Sequence, residues 1–167
     1  ATADLLYLVP VPVVRDAFFP PGDPPRPVDD ATAEDASAIE ALARTWLGDG
    51  EDEVVLRWWA QHPDAFRVGR DDAGRPVAFG VLLERAHLDP DLALADPVVR
   101  AWEAHLGTDP VPQGSKVLFG RSFVAPADQH GDADRGRAPM FIDTKRTYLE
   151  LRPALRRIYT VTDDWRA

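Results

Sequence analysis

A chain of 167 residues, 45% apolar and carrying five tryptophans, is long enough to bury a core as one domain, or as one domain with an arm. The absence of cysteine excludes disulfides, thiolate metal sites and a cysteine nucleophile, and it fits a cytoplasmic protein. A net charge of −9 argues against nucleic-acid binding, and no run of about 18 apolar residues offers a membrane span.

In chain order, residues 1–26 are expected to form an extended, Pro-rich arm or linker. Pro10 and Pro12 interrupt the apolar run at 5–14, which suits an edge strand or arm, since proline cannot donate to a ladder. Such an arm is a candidate surface for pairing with a second copy, so a homodimer through it is one expectation. The start lacks an initiator Met and the basic region of a signal peptide. A processed chain, or part of a longer protein, is therefore expected. Abundant Pro, Ala, Arg and Asp with few Lys suit a GC-rich, bacterial genome.

Residues 27–167 are expected to form the domain proper. Over 31–48, Thr32 and Asp35 form a capping box, and Ile39, Leu42, Ala43, Trp46 and Leu47 recur at helical spacing before Gly48. A second helix is predicted over 51–62, with an acidic first turn suited to the helix dipole. Its adjacent Trp58 and Trp59 are expected to divide between the core and the underside of a later excursion. Strands at 66–70 and 76–83 flank DDAGRP, which predicts a hairpin. Residues 85–116 form a helical insertion containing a helix at 96–107, with Pro97 in its first turn. A strand at 116–125, a helix at 137–151 and a strand at 156–162 follow. In that last helix Met140, Ile142 or Phe141, Tyr148 and Leu151 are available for burial. Strands in a hairpin followed by a strand–helix–strand unit predict an α/β fold, with a mixed, mainly antiparallel sheet flanked by helices.

This order, opened by VDDATAEDASAI at 28–39, resembles the Gcn-five-related N-acetyltransferase (GNAT) superfamily over roughly residues 27–162. The resemblance implies acetyl-CoA or CoA as cofactor. In the family, an R/Q-x-x-G-x-G/A loop before the central helix presents backbone N–H groups to pyrophosphate, as helix N-termini do for anions generally. The corresponding stretch here is ADRGRA, residues 133–138, in which Gly136 and Ala138 match and Ala133 departs. Arg135 and Arg137 are then candidate phosphate contacts, and Lys145 and Arg146 candidates for the ribose phosphate. Charge agrees in sense: residues 1–116 hold 21 acidic and 10 basic side chains, and residues 117–167 hold 7 and 9.

The resemblance also implies chemistry at an amine, for which a general base is needed. VLFGRSFVA contains no carboxylate, so Glu84, at the end of the third strand, is the candidate. About 32 residues separate the third and fourth strands where the family has a short turn. The elements that follow the family's fifth strand are either absent or replaced by the arm. Two functions are therefore carried forward. One is a non-catalytic ligand-sensing or interaction module. The other is an acetyl-CoA-dependent N-acetyltransferase acting on an unidentified amine or protein partner. No metal is expected: His62, His87, His105 and His130 lack H-x-x-x-H spacing, and no serine lies in G-x-S-x-G.

Overall fold

The computed structural model describes residues 28–48, 50–126 and 133–161, with side chains of the last range from 139 onward. Five strands make one sheet in the order β1 (Val28–Asp30), β2 (Phe66–Arg70), β3 (Pro76–Glu84), β4 (Lys116–Val124), β5 (Leu155–Thr160). The first four pair antiparallel, and β4 pairs β5 in parallel. The helices are α1 (Ala36–Trp46), α2 (Glu51–Gln61), α3 (Pro90–Ala95), α4 (Pro97–Thr108) and α5 (Ala133–Glu150). The architecture is the expected α/β class, a mostly antiparallel sheet with helices. The expected N-terminal arm, its dimer contact and His130 lie outside the described residues.

The sheet presents two different faces. Phe66 and Val68 of β2 stand opposite Val81 and Phe79 of β3, and these side chains share the main core with Ile39, Ala43, Val55 and Trp58 of α1 and α2. Residues between them in sequence point the other way, by the period of two. There Gly69, Ala78 and Gly80 leave room for Met140 of α5.

The capping box forms as read, but as a short 3-10 turn, Ala33–Asp35, ahead of α1. The Asp35 carboxylate accepts from the Thr32 N–H at 2.8 Å and its hydroxyl at 3.1 Å. It also receives both ends of the Arg70 guanidinium, at 2.8 and 2.9 Å, which ties the entry of α1 to β2. That fork, with the Thr32 donors, holds the Asp35 carboxyl down at about 2. A carboxyl depressed in the folded state stabilises above its unfolded pKa, and that stability is lost as pH falls through the folded value. The loss is therefore expected from about pH 4 to about pH 2, and it amounts to about 2 kcal/mol. Urea unfolding of Asp35→Asn should show a flatter acid limb than the unaltered chain. A limb of equal slope would remove Asp35 from the account.

Trp46 is a correction. It lies on the apolar stripe yet is 57% exposed, because α1 ends there and Leu47, on extended backbone, turns onto the core instead. Trp58 takes both roles expected of the tryptophan pair: it is wholly buried in the core, and its Nε1–H donates to Asp96 at the start of α4. Trp59 meets the edge of Phe66.

The insertion holds one more helix than the sequence reading. Asp89 accepts from the Leu92 N–H at 2.9 Å and Pro90 opens α3. Asp96 likewise accepts from Val98 and Val99 at the start of α4. Leu92, Val99 and Leu106 are buried in the main core, so the insertion is part of the domain's packing.

Candidate functional site

Charged side chains gather at two regions of the sheet. The first is where β4 and β5 part. β5 pairs with β4 from Lys116 to Gly120, while β4 continues to Val124 with only β3 paired beside it among the described residues. The register slips between Val81 and Leu82, so Arg121 has no partner in the ladder. This bulge turns Arg121 and Ser122 to the same face, and Arg121 donates to the Ser122 hydroxyl at 3.1 Å.

Arg121, 2% exposed, is then enclosed by acids. Its Nε donates to Asp96, itself 1% exposed, at 2.6 Å, and another nitrogen donates to Glu51 at 2.8 Å. The Asp96 oxygens also take the Trp58 indole N–H and the α4 amides. One buried ion pair thus joins α2, α4 and the centre of β4, with no buried side-chain polar atom left unpaired among the described residues. Arg121 was not singled out within the strand expected at 116–125.

The candidate cofactor residues follow beyond β4. α5 covers Ala133–Glu150, so residues 133–138 are helical backbone rather than a loop preceding a helix at 137. A helix leaves its first four N–H groups without intrahelical partners. With the helix beginning at Ala133, the Gly136 N–H is already the first to bond back within it, and Arg137 and Ala138 lie further along. Pro139 sits inside the helix, not at its start, and leaves the carbonyl four residues earlier without its usual donor. The side chains of Arg135, Arg137 and Ala138 lie outside the described residues.

Lys145 and Arg146 are further along α5. The Lys145 ammonium lies over Phe141 and Tyr148, 4.8 and 5.1 Å from the ring centres. Burial pushes the Tyr148 hydroxyl above the ordinary phenol range. Arg146 pairs with Asp143 at 2.8 Å and lies about 15 Å of helix from Gly136. The structure therefore does not gather Arg146 with residues 133–138.

The second region is a cavity of about 280 Å³ at the opposite end of the sheet, between the ends of β1, β2, β3 and β4, the close of α2 and the last turns of α5. Glu84 and Arg146 both line it. Glu84 is held by Lys116 at 2.9 Å. Beneath the cavity, Asp143 is 6% exposed and receives a two-point contact from Arg67, at 2.8 and 3.0 Å, as well as Arg146. Arg67 also pairs with Asp30. Asp143 was not a sequence candidate. Its three-residue offset from Met140 puts it on the sheet-facing side of α5, and that spacing was the available signal.

Among the described residues, no group of three or more His, Asp or Glu is arranged to hold a metal ion. No helix among them is long and apolar enough to cross a membrane. No protein-family model matches the chain, and no curated protein matches it.

Proposed function

We propose that this chain is a GNAT-like domain that binds CoA or acetyl-CoA at the start of α5 and serves as a ligand-sensing or interaction module. The observation that carries the reading is the element order. A strand, two helices, a hairpin, two inserted helices, a strand, a long helix and a strand follow in order, and the parallel pair of their sheet parts beyond Gly120. Helix α5 returns along the opposite face from beyond that end, which leaves its first amides for an anion.

Two features favour binding over turnover. β4 carries no carboxylate, and its centre is given to the buried Arg121–Asp96 pair. Glu84 stands at the far end of the sheet, engaged by Lys116. A second reading, an acetyl-CoA-dependent N-acetyltransferase with Glu84 as base, draws on the position of Glu84 at a cavity of small-molecule size. Release of free CoA from acetyl-CoA with a panel of amines separates the two. The module reading expects none above background.

Binding itself is tested by thermal shift and calorimetry with CoA, because a ligand of the native state raises the melting temperature by mass action. Gly136→Glu is the matching variant. A glutamate suits the early turns of a helix better than glycine, so the fold should persist while the added charge repels phosphate. The expected result is a CoA-dependent shift that Gly136→Glu abolishes. Equal shifts for both proteins would remove residues 133–138 from the site.

A further inference from the structure

We infer that the cavity at the β1–β4 end of the sheet is a binding site for a small organic cation, a primary amine or guanidinium carried on a short apolar body. The inference does not depend on CoA binding, whose proposed residues, 133–138, end about 12 Å before Arg146 along α5.

Size comes first: about 280 Å³ lies at the lower limit of small-molecule pockets. The walls come next. Leu82, Leu88 and Leu151 line the cavity, each half-buried, so an apolar body gains by leaving water there. Sign is decided by what the polar groups already hold. The cavity is lined by four carboxylates, Asp30, Asp64, Glu84 and Glu150, against two guanidiniums, Arg67 and Arg146.

Those guanidiniums are committed. Arg67 places Nε and one terminal nitrogen on the buried Asp143 and the other on Asp30. Arg146 gives one nitrogen to Asp143 and Nε to Glu150, at 3.5 Å. An anionic ligand would have to compete with carboxylates already fixed to these forks. A cation meets the same competition at Glu84, Glu150 and Asp30, which hold Lys116, Arg146 and Arg67, but not at Asp64. The Asp64 carboxylate has no hydrogen-bond or ion-pair partner among the described residues, and Asp30, 81% exposed, shares an Arg67 whose remaining donors face Asp143. The unmatched negative charge of Asp64 therefore stands at a hollow of mixed lining, in which leucines face a short apolar body and carboxylates its charged end, the complement of an alkylammonium.

The test uses n-butylammonium and agmatine as probes, with butyrate and butanol as controls of similar size, followed in the whole protein by calorimetry and by the ring signals of His62 and His87, which also line the cavity. Both cations should bind with millimolar dissociation constants and move both histidine signals. Asp64→Asn, an exposed change that should leave the melting temperature unaltered, should weaken binding about tenfold, the worth of one charge-assisted hydrogen bond. Butyrate or butanol binding as well as butylammonium would overturn the inference. So would unchanged affinity in Asp64→Asn, or no cation binding up to about 50 mM.

Discussion

Asp96→Ala is expected to lower the stability of the domain by about 3–5 kcal/mol, because it leaves a buried guanidinium without its carboxylate. Arg121 would keep only Glu51, which is about one-third exposed, and Ser122. The same change removes the acceptor of the Trp58 indole and the cap of α4. Loss of a helix cap alone costs about 1 kcal/mol. The double variant Asp96→Ala, Arg121→Met should recover much of the loss, since an apolar replacement of a buried pair costs far less than its rupture. Urea unfolding at neutral pH measures both. A loss below about 1 kcal/mol for the single variant would show that Arg121 finds water in the folded state.

Met140→Ala is expected to cost about 2–4 kcal/mol, the range for emptying a buried methionine site. Met140 is the fully buried apolar anchor among the described side chains of α5. It rests over two glycines: a Cβ on Gly80 would stand 3.1 Å from its Cε, and one on Gly69 3.4 Å from its Sδ. Gly80→Ala alone should therefore be mild, since the end of a methionine side chain yields readily. In the Met140→Ala background, Gly80→Val should recover part of the lost stability by filling the hollow. If Gly80→Val instead lowers stability equally in both backgrounds, the strand does not meet α5 at this point.

The glycines of β2 and β3 illustrate what a sequence conceals. FRVGR and VAFGV announce strands through their alternation, and DDAGRP announces the hairpin between them. That Gly69 and Gly80 make way for a side chain about 60–70 residues later follows only from register and face. The order of elements was legible because each segment carries its own period and its own caps. Charged residues inside strands were not. Arg67, Arg70 and Arg121 each look like solvent-facing interruptions, yet each is matched to a distant carboxylate, Asp143, Asp35 or Asp96. Pairing over such separations leaves no local signal. The bulge that turns Arg121 inward is equally silent in a single sequence.

Among the candidate site residues, Glu84 was legible as a strand-end carboxylate but its Lys116 partner was not. The long helix starts four residues before the expected 137, with Pro139 inside it. Pro90 carried the opposite lesson: with Asp89 before it, the Pro-opened start of α3 was there to be read.

The most direct measurement of the central claim is an amide-resolved NMR titration of the whole chain with CoA. The account predicts shifts concentrated at residues 133–138 and at 121–124 of β4, with the cavity residues around Glu84 unmoved. Shifts confined to the cavity, or none with saturating CoA, would contradict it.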